Sequence, residues 1–191
     1  MKESPSNYNR IGMTLGQRGR YVEAIEAFEK ALEIKPDFAP AFHNLGLALW
    51  NLGKVDLAMK AYERAIELDP KNVEPYCGLG HALCQREQFE EAAELLRRAT
   101  ELNPTSHKAH FNFGVACEKV LAWEEAAAAY RLAAELNPLR PEAYLGLAQL
   151  CLYILGRPDE AIEALTCAIE LDPDDQRVRI ALDDALQVTV R

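Results

Sequence analysis

Serine is scarce in this chain. Ser4, Ser6 and Ser106 are the three it has, all at ends or turns. A serine nucleophile is therefore not expected, and the G-x-S-x-G pattern is missing. Also missing are G-x-x-x-x-G-K-S/T, H-E-x-x-H and a complete G-x-G-x-x-G after a strand. Their absence removes the phosphate-cradling loops and the zinc-protease helix, and no enzyme is expected. Basic residues are outnumbered, with 21 Lys and Arg against 30 Asp and Glu, for a net charge of −9 and a pI near 5.0. Phosphate binding needs a basic stripe, so nucleic acid is not an expected partner. No stretch reaches the roughly 18 apolar residues of a membrane span. The most apolar run, Leu145 to Gly156, is too short. The opening MKESPSNYNR has no apolar core, so no secretory signal is expected there. Five cysteines, an odd number without a framework spacing, point to reduced thiols and a cytoplasmic location.

What is present is a period. Pro36, Pro70, Pro104 and Pro138 stand 34 residues apart, and Pro173 follows after 35. Five residues before each lies Ala31, Ala65, Ala99, Ala133 or Ala168. Eight before lies a large apolar residue: Phe28, Tyr62, Leu96, Tyr130, Leu165. Twelve before lies Ala24, Ala58, Ala92, Ala126 or Ala161. A small residue recurs earlier in each copy, as Gly12, Gly46, Gly80, Gly114 and Ala148. An aromatic or His stands four before it: Tyr8, Phe42, Tyr76, His110, Tyr144. The copy from Phe42 to Pro70 reads as two amphipathic helices joined at Gly53. Leu45, Leu49 and Leu52 keep helical spacing on the first, and Ala58, Tyr62, Ala65 and Ile66 keep it on the second. Neither helix can bury its apolar stripe alone, so the copies must stack.

This pattern, over about residues 5–173, resembles the tetratricopeptide repeat family. The resemblance implies an all-α, right-handed superhelical α-solenoid of five helix-turn-helix repeats, at about 5–38, 39–72, 73–106, 107–140 and 141–175. A C-terminal capping helix is expected over about 175–189, with Val178, Ile180, Leu182 and Leu186 covering the last repeat. With no N-terminal cap, the first helix should be the least stable. Asn72 and Ser106 are candidate N-caps. The turn after repeat three's first helix, Arg86-Glu87-Gln88-Phe89, lacks the glycine, and that of repeat four carries Ala122-Trp123. In repeat five Gly156 comes one residue late, which calls for a longer helix, a wider turn or a π-bulge.

The function implied is non-enzymatic. First helices line the inner wall of such a solenoid, and that wall binds a peptide or helix of a partner protein. The lining positions fall on Asn9, Met13 and Gly16; His43, Leu47, Trp50 and Asn51; Cys77, His81, Cys84 and Gln85; Lys108, Phe111, Val115, Glu118 and Lys119; and Leu145, Gln149 and Leu152. The candidate groove is accordingly His43, Asn44, Leu47, Trp50, Cys77, His81, Cys84, Phe111, Asn112, Val115, Leu145 and Gln149. Trp50 and Phe111 are its anchors, and the expected partner carries apolar anchor residues. Asn44 and Asn112 either bond an extended backbone or make local bonds. Family members that clamp a chaperone's C-terminal carboxylate use a lysine–asparagine pair. The matching positions here hold Asn9, Met13, His43, Leu47, Cys77 and His81, so no such clamp is expected.

Two other readings stand beside this one. The chain could assemble with itself, using the groove or the terminal helix. More remotely, Cys77 and His81 could hold a metal. Cys77 and Cys84 lie about 10.5 Å apart along a helix, whereas two thiolates on one zinc sit within roughly 4 Å. No cofactor or metal is expected, and Cys117, Cys151 and Cys167 read as small core fillers.

Overall fold

The computed structural model describes residues 4–189. The first three residues of the opening segment lie outside that range. Among the described residues there are eleven α-helices, one π-helical segment and no strand. The chain divides into two compact units, Met1–Leu95 and Leu96–Arg191.

The first unit holds α1 (Pro5–Gln17), α2 (Tyr21–Ile34), α3 (Ala39–Asn51), α4 (Val55–Leu68), α5 (Val73–Gln85) and the start of α6 (Phe89–Leu102). α1 packs on α2 and α3 on α4, while α1, α3 and α5 also lie side by side in sequence order. The alanines spaced from each proline are the contact surface: Ala24, Ala31, Ala58 and Ala65 are buried. Small side chains let helices approach closely, and a large one then fills what remains. The Tyr62 ring lies between two glycines. A Cβ added at Gly46 of α3 or at Gly78 of α5 would each come within 2.6 Å of it. Each second helix of this unit ends two residues before its proline, α2 at Ile34 and α4 at Leu68. Proline disfavours helical backbone in the residue before it, which sets that stop.

The second unit completes α6 and adds α7 (His107–Lys119), α8 (Trp123–Leu136), α9 (Pro141–Leu150), the π segment Cys151–Leu155, α10 (Pro158–Leu171) and α11 (Gln176–Thr189). Its core joins Tyr130, Leu145, Leu147, Leu150, Leu165 and Val178, with Trp123 packed against them. The Tyr130 ring repeats the arrangement of Tyr62, since added Cβ atoms at Gly114 and Gly146 would approach it to 2.8 and 3.1 Å.

Asn72 and Ser106 cap α5 and α7 as expected, accepting bonds from the Glu74 and Ala109 amides. The two turns without glycine place Glu87 and Leu121 at φ 61° and 60°, a left-handed conformation that side chains adopt at a cost. The extra residue of repeat five goes into the π segment, which stops at left-handed Gly156.

Two expectations are corrected. α11 covers its neighbours with Val178, Ala181 and Ala185, which share one face at spacings of three and four. Leu182 packs at the edge of that core, but Ile180 and Leu186 face outward. Of the three cysteines read as core fillers, Cys117 and Cys151 are buried, whereas Cys167 is exposed. Cys167 falls one residue before buried Ala168, about 100° round the helix from it.

Burial pushes the Tyr62 phenol up to about 12. An unfolded chain loses that proton near pH 10. The raised value therefore contributes stability that is fully present below about pH 10 and lost as pH rises through about 12, roughly 2–3 kcal/mol in all. Thermal melts across this range should show a shallower alkaline loss for Tyr62→Phe than for the native chain. Some loss remains in the variant, because burial raises the Cys117 and Cys151 thiols as well. Identical pH profiles would contradict the assignment.

Candidate functional site: first-helix hollows in each unit

In the first unit, α1 and α3 run side by side and leave a hollow of about 280 Å³ between them. Met13, Gly16 and Gln17 come from α1, and Asn44, Leu47, Ala48 and Asn51 from α3. Tyr21 and Phe28 of α2 close its floor. Helical spacing explains the lining: Met13 to Gln17, and Asn44 to Ala48, are each one turn apart on one face. Met13 and Leu47 are 46% and 49% exposed, so this wall offers apolar surface to solvent. Gly16 opens the hollow further, because an added Cβ there would meet nothing within 4 Å.

Polar groups fix the two walls. The Asn44 side-chain amide donates to Asn9 Oδ1 at 2.9 Å, tying α3 to α1. Asn44 thus makes the local bond that was one of its two readings. Asn51 donates to the Leu47 carbonyl at 2.8 Å.

Toward α5 the surface becomes aromatic. Trp50 and His81 meet edge to face, with ring centroids 4.9 Å apart. Partial burial holds the His81 pKa below the usual imidazole value, although the residue remains exposed. The His43 ring lies 6.0 Å from that of Tyr62, and Cys84 is half-buried. Cys77 is 6% exposed and presents almost no surface, which corrects its place in the candidate groove. It sits directly after buried Tyr76, on the packed side of α5.

The second unit has a hollow of about 260 Å³ lined by His107, Lys108, Phe111 and Asn112 of α7, Ala133 of α8, Arg140, and Glu142 and Ala143 of α9. Phe111 leans on Tyr130, with centroids 5.7 Å apart. Val115 is half-buried against the core and Gln149 is exposed on α9. Leu145 is 8% exposed and belongs to the core, a second correction to the candidate groove. Sequence reading missed Gln17, Arg140 and Glu142. Gln17 is one turn beyond Met13 and could have been found from that spacing. Arg140 precedes α9, where helical periodicity places nothing. A smaller hollow of about 230 Å³ lies among α8, α9 and α10, lined by Arg131, Tyr144, Glu160 and Cys167.

The thiols of Cys117 and Cys151, pushed up to about 12 and about 11, stay protonated at neutral pH and lack the reactive thiolate. Among the described residues, no group of three or more His, Cys, Asp or Glu side chains is placed to hold a metal ion. Among them, too, no helix is long and apolar enough to cross a membrane.

Family models agree with the period. A model described as TPR repeat matches residues 12–53 and 80–120. Others described as tetratricopeptide repeat match 39–72, 61–94 and 121–176. Among solved structures, the chain resembles TTC0263, a thermophilic TPR protein of Thermus thermophilus, at 27% identity and a TM-score of 0.73. The likeness covers 96% of this chain and 99% of that one. YrrB, a TPR protein with an unusual peptide-binding site, is 25% identical with a TM-score of 0.72, over 92% of this chain and 90% of that one. PilF of Pseudomonas aeruginosa shares the fold at 22% identity and a TM-score of 0.83, over 97% of this chain and 89% of its own. No curated protein matches. The fold class is the α-solenoid of helical repeats.

Proposed function

We propose that this chain, which belongs to the tetratricopeptide repeat family, is a non-enzymatic interaction scaffold that holds a partner's peptide or helix against its first-helix faces. The observation that carries this reading is the apolar hollow between α1 and α3, with Met13 and Leu47 half-exposed at its rim. Half-exposed apolar side chains around a concave site are what a partner's anchor residue covers. Trp50 with His81 in the first unit, and Phe111 with Asn112 in the second, extend the contact surface on their own helices. Peptide binding by YrrB supports the same class of ligand. Five cysteines without a framework spacing fit a reducing, cytoplasmic setting.

The test is capture of partner from a lysate of the source cells. Trp50→Ala combined with Phe111→Ala should remove capture and leave helicity, read by circular dichroism, unchanged. Capture at the native level by the folded double variant would refute the assignment.

A second reading, self-assembly, is favoured by the outward-facing Ile180, Leu186 and Val188 of α11. If that face joins copies, Ile180→Lys with Leu186→Lys should convert a concentration-dependent oligomer into monomer in light scattering. A native chain that is already monomeric at high concentration removes this reading.

A further inference from the structure

The hollow beside Phe111 carries a charge pattern that an apolar groove does not require. We propose that it takes an acidic peptide segment, with a bulky apolar side chain against Phe111, Ala133 and Ala143 and a side-chain carboxylate two positions away at the Lys108 and Arg140 rim. This rests on the groove reading above and adds the charge of the partner.

Complementarity of charge is the reason. The chain as a whole is at −9, yet this hollow is lined by Lys108 and Arg140 with a single carboxylate, Glu142. Arg140 Nη1 stands 3.6 Å from Glu142 Oε1, and both side chains are about half exposed at 52% and 51%. An exposed pair at that separation is weakly held. A guanidinium has five N–H donors, so Arg140 can meet a second carboxylate without releasing the first. Lys108 lies one turn before Asn112 on the exposed side of α7 and adds a second positive charge to the lining. α7 and α9 both begin at this hollow, and the partial positive charge of their first turns acts in the same direction.

The floor is apolar where the rim is charged. Phe111 is held by its contact with Tyr130, and Ala133 and Ala143 are buried beneath it. One large apolar side chain fits a hollow of about 260 Å³. On an extended chain, side chains two residues apart point to the same side, roughly 7 Å from each other. That spacing lets one residue reach the floor while the other reaches the rim. The acidic body of the protein repels such a peptide at long range, so the hollow selects where it lands more than how fast it arrives.

The test uses the full chain, isotopically labelled, titrated with three synthetic peptides and followed by amide chemical shifts. One peptide is end-blocked, with a central leucine and a glutamate two positions to either side in a glycine background. The second replaces both glutamates by lysine. The third keeps the leucine, has no glutamate and carries a free C-terminal carboxylate. The acidic peptide is expected to shift α7 and α9 amides and to bind about tenfold more tightly than the lysine peptide. Lys108→Glu with Arg140→Glu, both exposed and outside the core, should reverse that preference. Equal binding of the first two peptides at Phe111 overturns the acidic assignment and leaves the groove reading standing. Binding by the third peptide alone overturns the side-chain source of the carboxylate. No shift on α7 or α9 with any peptide overturns both this inference and the second unit's part in the proposed function.

Discussion

Tyr130→Ala lowers the stability of the second unit by about 3–5 kcal/mol, the range for deleting a buried aromatic ring. The ring fills the space that Gly114 and Gly146 leave between α7 and α9. The glycines lack side chains and the alanines at 126, 127 and 133 cannot extend, so the site collapses poorly and the cavity persists. The phenol adds a bond, donating to Glu118 Oε2 at 2.7 Å. Tyr130→Phe isolates that bond and should cost about 1–2 kcal/mol. In thermal melts the alanine variant should lose at least about 12 °C in the transition reporting on this unit, and the phenylalanine variant about a third of the alanine loss. In a repeat array stability is roughly a sum of neighbour terms, so a loss confined to α7–α10 is expected in hydrogen exchange. A melt unchanged by the alanine variant would mean the ring does not wedge the helices apart.

Gly16→Trp should abolish partner capture, by at least about tenfold, while the fold stays as stable or becomes more so. Two facts combine here. A Cβ added at Gly16 would meet nothing within 4 Å, so a side chain can leave the backbone there without a clash at its root. It also projects from a hollow whose volume is about 280 Å³, which an indole largely occupies. Glycine inside a helix is disfavoured by about 0.5–1 kcal/mol relative to alanine, and replacing it relieves that cost. Most surface-blocking substitutions confuse lost binding with lost folding, and this one separates them. Capture retained beside a raised melting temperature would show that the partner sits elsewhere.

The helices were legible because their causes are local. Proline stops, alanine contacts and the Asn72 and Ser106 caps each act within a few residues of where they stand. Gly46 and Gly114 were legible for the same reason, because their period repeats, whereas Gly78 and Gly146, on the other side of the Tyr62 and Tyr130 rings, fall outside it. What escaped the sequence depends on how helix faces turn. Cys77 and Leu145 occupy positions that the family pattern assigns to a groove, yet both are buried. Cys167 is the opposite case, an apolar-looking residue left outside by its angle around α10. Ile180 and Leu186 belong to an apolar stripe, but burial on α11 follows Val178, Ala181 and Ala185. The π segment was one of three ways to absorb an inserted residue, and nothing local distinguished them. Arg140 was invisible because a residue before a helix takes its position from the chain's path.

Hydrogen–deuterium exchange on the full chain, with and without captured partner, tests the proposed function most directly. Protection on α1 and α3 around Met13 and Leu47, and on α7 around Phe111, with α2, α4 and α8 unchanged on their solvent sides, is the expected pattern. Protection that appears on those second helices and spares the first would contradict it.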